Sequence, residues 1–307
     1  MADARSRRMI RCAVRATVTG DPVDGTGVVA YRALVDLGVT AERAGLDALF
    51  VGPSPTLDPY VLLGGVAAST SELALGCLAA HAGERPAAML AKVVTGLDVC
   101  SGGRAVLGIT DEPAGFTPAV DRDGGGGRPD TGRLSDALEI CRAMLRVSAP
   151  TYAGRRTGIS GAWNEPRLEG LRIAILAPFD GAPDALVLRA LELAARFAEI
   201  CVVDTGTGVP GSRGGTRSPG ATRADGSSGA WLRERFAAAC LDAGRVPGDV
   251  RLLARCVDGG GAVSDVIDRG ARWLDACADG VVVDVGPVER ARDRHAELVA
   301  ALGALAP

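Results

Sequence analysis

The sequence predicts a single α/β domain of the (β/α)8, or TIM-barrel, class with two glycine-rich loop insertions. Three observations point there. Short β-rich runs alternate with longer helical patterns along the 307 residues, and eight of each can be laid out in order. The β-rich runs are nearly unbroken in apolar residues, as strands are when both faces are covered. A doubly wound open sheet, the competing architecture, usually holds fewer strands.

The elements follow in turn. MIRCAVRATV (9–18) is the first strand, and the helix after it (28–45) ends at Gly45. DALFVG (47–52) leads to a helix over 58–69, started by Asp58-Pro59 as cap and first-turn proline. LALGCLA (73–79) precedes a helix over 85–100, and Ser101-Gly102-Gly103 supplies the left-handed turn into AVLGIT (105–110). After a helix over 131–147 come LRIAILA (171–177), a helix over 181–198, EICVVD (199–204) and a helix over 229–243. VRLLARCV (250–257), a helix over 262–275, DGVVVDV (279–285) and a helix over 287–305 complete the chain.

Two segments interrupt this rhythm, 120–132 and 205–229. Both are too polar and too rich in glycine, serine and proline to pack, so they are expected to be lids or disordered insertions. They follow the fourth and sixth strands, which assigns both to the catalytic face of a barrel. Neither contains the Gly-x-x-x-x-Gly-Lys-Ser/Thr phosphate cradle, and the chain's one lysine is Lys92.

Composition excludes several classes of function. With a formal net charge of -3 and 23% charged residues, nothing suggests nucleic acid as a partner. The cysteines, eight in number, include no Cys-x-x-Cys pair, and several sit in apolar runs. A reducing cytoplasm, free thiols and no bound metal are therefore expected. Arg11 and Arg15 break the apolar segment that a signal peptide would need, and no run approaches a membrane span. The expected protein is soluble and cytoplasmic.

LGVTAERAGLDALFVG, LDPYVLLGGVAASTSELALGC and RPAAMLAKVVTGLDVCSGGRAVLGI, with GRLSDALEICRAML and the C-terminal GVVVDVGPVERARDRHAELVAALGALAP, resemble the bacterial-luciferase-like family. That family includes flavin-dependent monooxygenases and coenzyme F420-dependent oxidoreductases. The resemblance covers nearly the whole chain and is most specific from Asp58 to Gly108. It implies an oxidoreductase that moves hydride between FMN or F420 and a small organic molecule, compatible with a homodimer. The alternative is a relative that has lost its cofactor and chemistry and acts as a subunit or binding partner.

The resemblance also places a site at the strand ends. It implies cofactor contacts at Gly52, Ala79, His81, Gly108, Ile109, Thr110, Ala177, Pro178, Phe179 and Gly181, with His81 as the catalytic candidate. A histidine there can donate to a flavin carbonyl or move a proton, or simply be an exposed loop residue. Departures from the family pattern are informative. Val51-Gly52-Pro53-Ser54-Pro55 stands where F420-dependent relatives commonly carry an Asp-His pair, and Pro178 and Asp180 stand in a turn that elsewhere presents amides to the phosphate. Asp180 either caps the following helix or, with Asp111 and Glu112, sets negative charge at the mouth. Arg85 either meets a phosphate or starts a helix, Tyr152 either edges the pocket or lies on the surface, and His295 is expected to be solvent-exposed. Arg104 and Asp98 are expected partners at the closed end, with Glu42 and Lys92 in packing and solvation roles.

Overall fold

Eight parallel strands close into a barrel in the order β1–β10–β9–β8–β7–β4–β3–β2 in the computed structural model. It describes residues 9–19, 25–54, 56–111, 131–206, 228–290 and 292–305. The barrel strands are β1 (Cys12–Thr17), β2 (Ala48–Val51), β3 (Ala74–His81), β4 (Ala105–Thr110), β7 (Arg172–Pro178), β8 (Ile200–Asp204), β9 (Arg251–Val257) and β10 (Gly280–Pro287). The helices are α1 (Thr26–Arg43), α2 (Pro59–Ser69), α3 (Ala87–Ser101), α4 (Thr131–Arg146), α5 (Asp184–Phe197), α6 (Ser228–Asp242), α7 (Val263–Ala276) and α8 (Arg292–Gly303). The predicted (β/α)8 class is the observed one, and every predicted strand and helix is present within a few residues.

Two features were not visible in the sequence: a hairpin of β5 (Tyr152–Ala153) with β6 (Gly158–Ile159), and a 3-10 turn at Pro247–Asp249. The insertion segments 120–132 and 205–229 lie largely outside the described residues. Their margins belong to α4, to the end of β8 and to α6.

Alternation along each strand sorts the core into two layers. Ile10, Ala13, Phe50, Leu78, Val106, Leu176, Val202, Leu253 and Val282 fill the barrel interior. Val14, Leu49, Leu75, Leu107, Ile175, Val203, Cys256 and Val283 face outward into the helices. Glycine is needed for space where β3 and β4 approach closely: a Cβ on Gly108 would lie 2.0 Å from the Cys77 carbonyl oxygen, and one on Gly76 2.5 Å from that of Val106.

The closed end is stapled by side chains. Gly102, with φ 71°, ends α3 in the left-handed conformation, as predicted. Arg104 does not pair with Asp98 as expected. Its guanidinium instead donates to the carbonyls of Ala67, Thr70, Leu73 and Ser101 and to the Thr70 hydroxyl, at 2.7–3.0 Å. It thereby satisfies the orphan carbonyls at the end of α2. Asp98 accepts from the Ala105 amide. Glu42 Oε1 accepts from the amides of Ser71, Glu72 and Leu73, anchoring the turn before β3.

Candidate active site at the barrel mouth

The same alternation that turns Ala13, Val282, Leu253 and Val202 inward carries Arg15, Asp284, Arg255 and Asp204 inward at the carboxyl ends of their strands. The registers set Arg15 opposite Asp284 and Asp204 opposite Arg255. The four form one chain across four neighbouring strands. Arg15 Nη1 donates to Asp284 Oδ2, which also accepts from Arg255 Nε and Nη2, while Arg255 Nη1 donates to Asp204 Oδ2. Asp284 Oδ1 accepts from the Gly286 amide at 3.1 Å.

Burial decides the electrostatics here. Arg15 is 8% exposed and Asp284 is 3% exposed. Burial pushes the Asp284 carboxyl up, but Arg15 and Arg255 outweigh it and hold the group below its ordinary value. Burial likewise works against the charge of Arg255, and Asp284 and Asp204 more than restore it. Arg15 is the group on which burial prevails, lowering its pKa despite Asp284. An arginine nevertheless stays protonated at neutral pH.

The opposite half of the mouth is uncharged at its floor. Gly52, Ala79, Gly108, Thr110 and Pro178 end or line the strands there, and Thr110 Oγ1 donates to the Leu176 carbonyl. β3 bulges between Cys77 and Ala80, the Leu78–Ala79 peptide is cis, and the Leu78 carbonyl accepts from Arg15 Nε at 2.6 Å. Gly52 makes room for the arginine, since a Cβ there would lie 2.4 Å from Arg15 Nη2.

His81 stands at the end of β3, half-buried. Its Nδ1 accepts from the Gly83 amide at 3.1 Å, so in the neutral ring the proton sits on Nε2. Burial lowers its pKa, with a hydrogen bond to the Asp111 backbone acting against the shift. The net effect favours the neutral imidazole.

Of the other predicted positions, Ile109 and Ala177 point their side chains into the helix layer. Phe179 packs edge-on against Trp273 at 5.7 Å between centroids. Gly181 takes a φ of 70° in the turn before α5. In that turn Pro178 has no amide proton, the Asp180 amide donates to the Asp204 carbonyl, and the Ala182 amide donates to Phe179. Asp180 does not cap α5: the cap position is Pro183, with no side-chain cap. Its carboxylate instead lies over Gly206, where a Cβ would be 2.7 Å from Oδ2, and burial and Asp204 raise its pKa.

Arg85 pairs with Asp58, the α2 cap, at 2.9 Å and lies over the Tyr60 ring. Tyr152 donates to Asp136, fastening the β5–β6 hairpin to α4. His295, expected at the surface, is 5% exposed with Nε2 at 3.1 Å from the Val285 carbonyl. Glu112 lies outside the described residues, and Asp111 follows β4, half-buried. Among the described residues no cluster of His, Cys, Asp and Glu could hold a metal ion. No helix among them is long and apolar enough to cross a membrane.

A family model described as luciferase-like monooxygenase matches residues 10–204, more than half of the chain. No curated protein matches it in sequence. Among solved structures, the coenzyme F420-dependent tetrahydromethanopterin reductase of Methanopyrus kandleri superposes with a TM-score of 0.70 at 14% identity. It covers 95% of this chain and 97% of that one. EDTA monooxygenase from Chelativorans sp. BNC1 gives 0.68 at 15% identity, covering 96% and 94%. The oxygenating constituent of 3,6-diketocamphane monooxygenase from the CAM plasmid of Pseudomonas putida, in complex with FMN, gives 0.69 at 12%, covering 96% and 97%. At such identities the likeness establishes the fold.

Proposed function

Since the chain belongs to the luciferase-like monooxygenase family, we propose that it is an FMN- or F420-dependent oxidoreductase acting on a small organic molecule at the barrel mouth. The observation that carries this reading is the division of that mouth into an uncharged floor and a charged wall. The proposed place for a flat, largely neutral ring is against the small side chains of Ala79 and Thr110, with the Arg15 guanidinium beside it at Gly52. The phosphate of either cofactor does not fit the turn after β7. Pro178 offers no donor, the amides of Asp180 and Ala182 are committed, and the Asp180 carboxylate repels an anion.

Bound there, the cofactor would supply the hydride. The chain's own residues bind and orient. The Arg15–Asp284–Arg255–Asp204 chain walls one side with fixed dipoles that need no rearrangement. His81 is the proposed proton carrier at the rim, its Nδ1 held by the Gly83 amide and its ring N–H shared with the Asp111 backbone.

A second reading has its own support: Val51-Gly52-Pro53-Ser54 after β2 holds no titratable group, and the turn after β7 is unsuited to phosphate. On that reading the barrel binds no cofactor and serves as a subunit or binding partner. Titrating purified protein with FMN and with F420, followed by absorbance and fluorescence, separates the two. Saturable binding of either supports the oxidoreductase, and no binding of either at millimolar concentration replaces it with the cofactor-free reading.

A further inference from the structure

The charged wall has a polarity. Its four groups balance, two arginines against two aspartates, but they are not evenly placed. Asp204 at the β8 end has Asp180 beside it, so that end carries surplus negative charge. The β1 end terminates in Arg15. Every nitrogen of the Arg255 guanidinium donates to Asp204 or Asp284. Arg15 commits Nε to the Leu78 carbonyl and Nη1 to Asp284. Its Nη2 has no partner among the described residues, although the side chain is only 9% exposed. That nitrogen faces Gly52, whose missing side chain leaves it room.

We propose that Arg15 is the receptor for one negatively charged ligand oxygen at the floor of the mouth, with Nη2 as the donor. A buried guanidinium whose other nitrogens are fixed cannot turn its free nitrogen elsewhere, so the site is preorganised. Because Nη1 is held by Asp284, the contact is to a single oxygen, not a two-pronged clamp. The charge distribution selects the same place: an anion is attracted at the Arg15 end and repelled at the Asp180 end. Two sources carry such an oxygen, a carboxylate on the substrate or the oxygen edge of a reduced flavin or deazaflavin ring. Only the second rests on the oxidoreductase reading.

The test pairs ligands that differ in charge and little else. Calorimetric titration of the full chain with sodium propionate and with propionamide probes a carboxylate. Anaerobic titration with oxidised and with reduced riboflavin, which has no phosphate, probes the ring. Wild type is expected to prefer the charged member of at least one pair by about tenfold or more, and Arg15→Lys to abolish that preference. Lysine keeps a charge opposite Asp284 but has no second terminal nitrogen. Gly52→Ala keeps the Arg15 side chain but sets a Cβ 2.4 Å from Nη2 and 2.9 Å from Cζ and from Thr17 Cγ2, so the guanidinium must shift and the same effect is expected if Arg15→Lys does not fold. Preference in the propionate pair assigns a substrate carboxylate, and preference in the riboflavin pair assigns the ring. No charge preference in wild type, or a preference unchanged in folded variants, overturns the proposal. Binding of FMN or F420 without any Arg15 effect leaves the oxidoreductase standing and removes this inference. Propionate binding through Arg15 with no cofactor binding does the reverse.

Discussion

Replacing Asp284 by asparagine should be among the most destabilising single changes in the barrel. The side chain keeps its size, and its remaining oxygen can still accept from the Gly286 amide. What disappears is the charge that Oδ2 presents to three guanidinium N–H groups in a site 3% exposed. Arg255 retains Asp204, but Arg15 loses its only carboxylate among the described residues. Removing one member of a buried ion pair typically costs about 3–5 kcal/mol, because it strands a buried charge. The partial cover from Asp204 puts the expectation at the lower end, about 3 kcal/mol. In a domain of this size that corresponds to a fall in Tm of about 5 °C. Differential scanning calorimetry reads it directly.

The pH dependence follows from the sign of the shift. The folded pKa of Asp284 lies below its ordinary value, because Arg15 and Arg255 outweigh burial. A carboxylate of this kind contributes stability above its unfolded pKa of about 3.9 and loses it as pH falls through the folded value. The gap between wild type and Asp284→Asn should therefore stay level from about pH 7 to about pH 5 and close only below about pH 4. A Tm within about 2 °C of wild type at pH 7 would refute the argument, since the chain of charges would then contribute no net stability.

Arg104→Met should lower stability by about 2–4 kcal/mol in denaturant titration, because it leaves the carbonyls of Ala67, Thr70 and Leu73 without their donor. Ligand affinity of the folded fraction should be unchanged, since that end of the barrel is remote from the mouth. Asp180→Asn should tighten binding of FMN or F420 by up to about tenfold at low salt, the gain shrinking as salt is added. Tighter binding by wild type would make the carboxylate a ligand. All eight cysteines should titrate as free thiols in denatured, non-reduced protein, matching their unpaired state in the structure. In the native protein Cys100, the exposed one, should react first, while burial pushes the thiols of Cys77 and Cys141 up to about 12.

What could be seen in the sequence was what local physics controls. Asp58-Pro59 starts α2 because a carboxylate and the amides it caps are two and three residues apart, and Asp58 Oδ1 accepts from Tyr60 and Val61. Apolar runs marked the strands because burial on both faces leaves no polar position to hide them. Neighbours in sequence also misled: Asp98 and Arg104 are close in the chain, yet Arg104 reaches back to α2 and Asp98 turns to the Ala105 amide. His295 carries no local signal of burial, because its partner is the Val285 carbonyl on the strand beneath.

The charged wall belongs wholly to the non-local class. Arg15, Asp204, Arg255 and Asp284 each look like a single charge at or near the end of an apolar run, as a solvated strand end would. Arg15 in particular reads locally as a break in an apolar segment. Period-two alternation does carry a usable clue: in CAVRAT, CVVD, RLLARCV and GVVVDV the charge falls on the same face as an interior apolar residue two places earlier. Whether that face is core or solvent depends on closure. Arg15 meets Asp284 only because β1, first in the chain, pairs with β10, the last barrel strand. A charge left inside an open sheet edge would be hydrated and cost little. Inside a closed barrel it must be paired, and the β1–β10 register supplies the pair. The chemistry of the mouth is thus fixed by strand registers, which is why the residues flagged by resemblance, His81 and the turn at Pro178, turned out to be mostly backbone-bound while the charged groups lie between them.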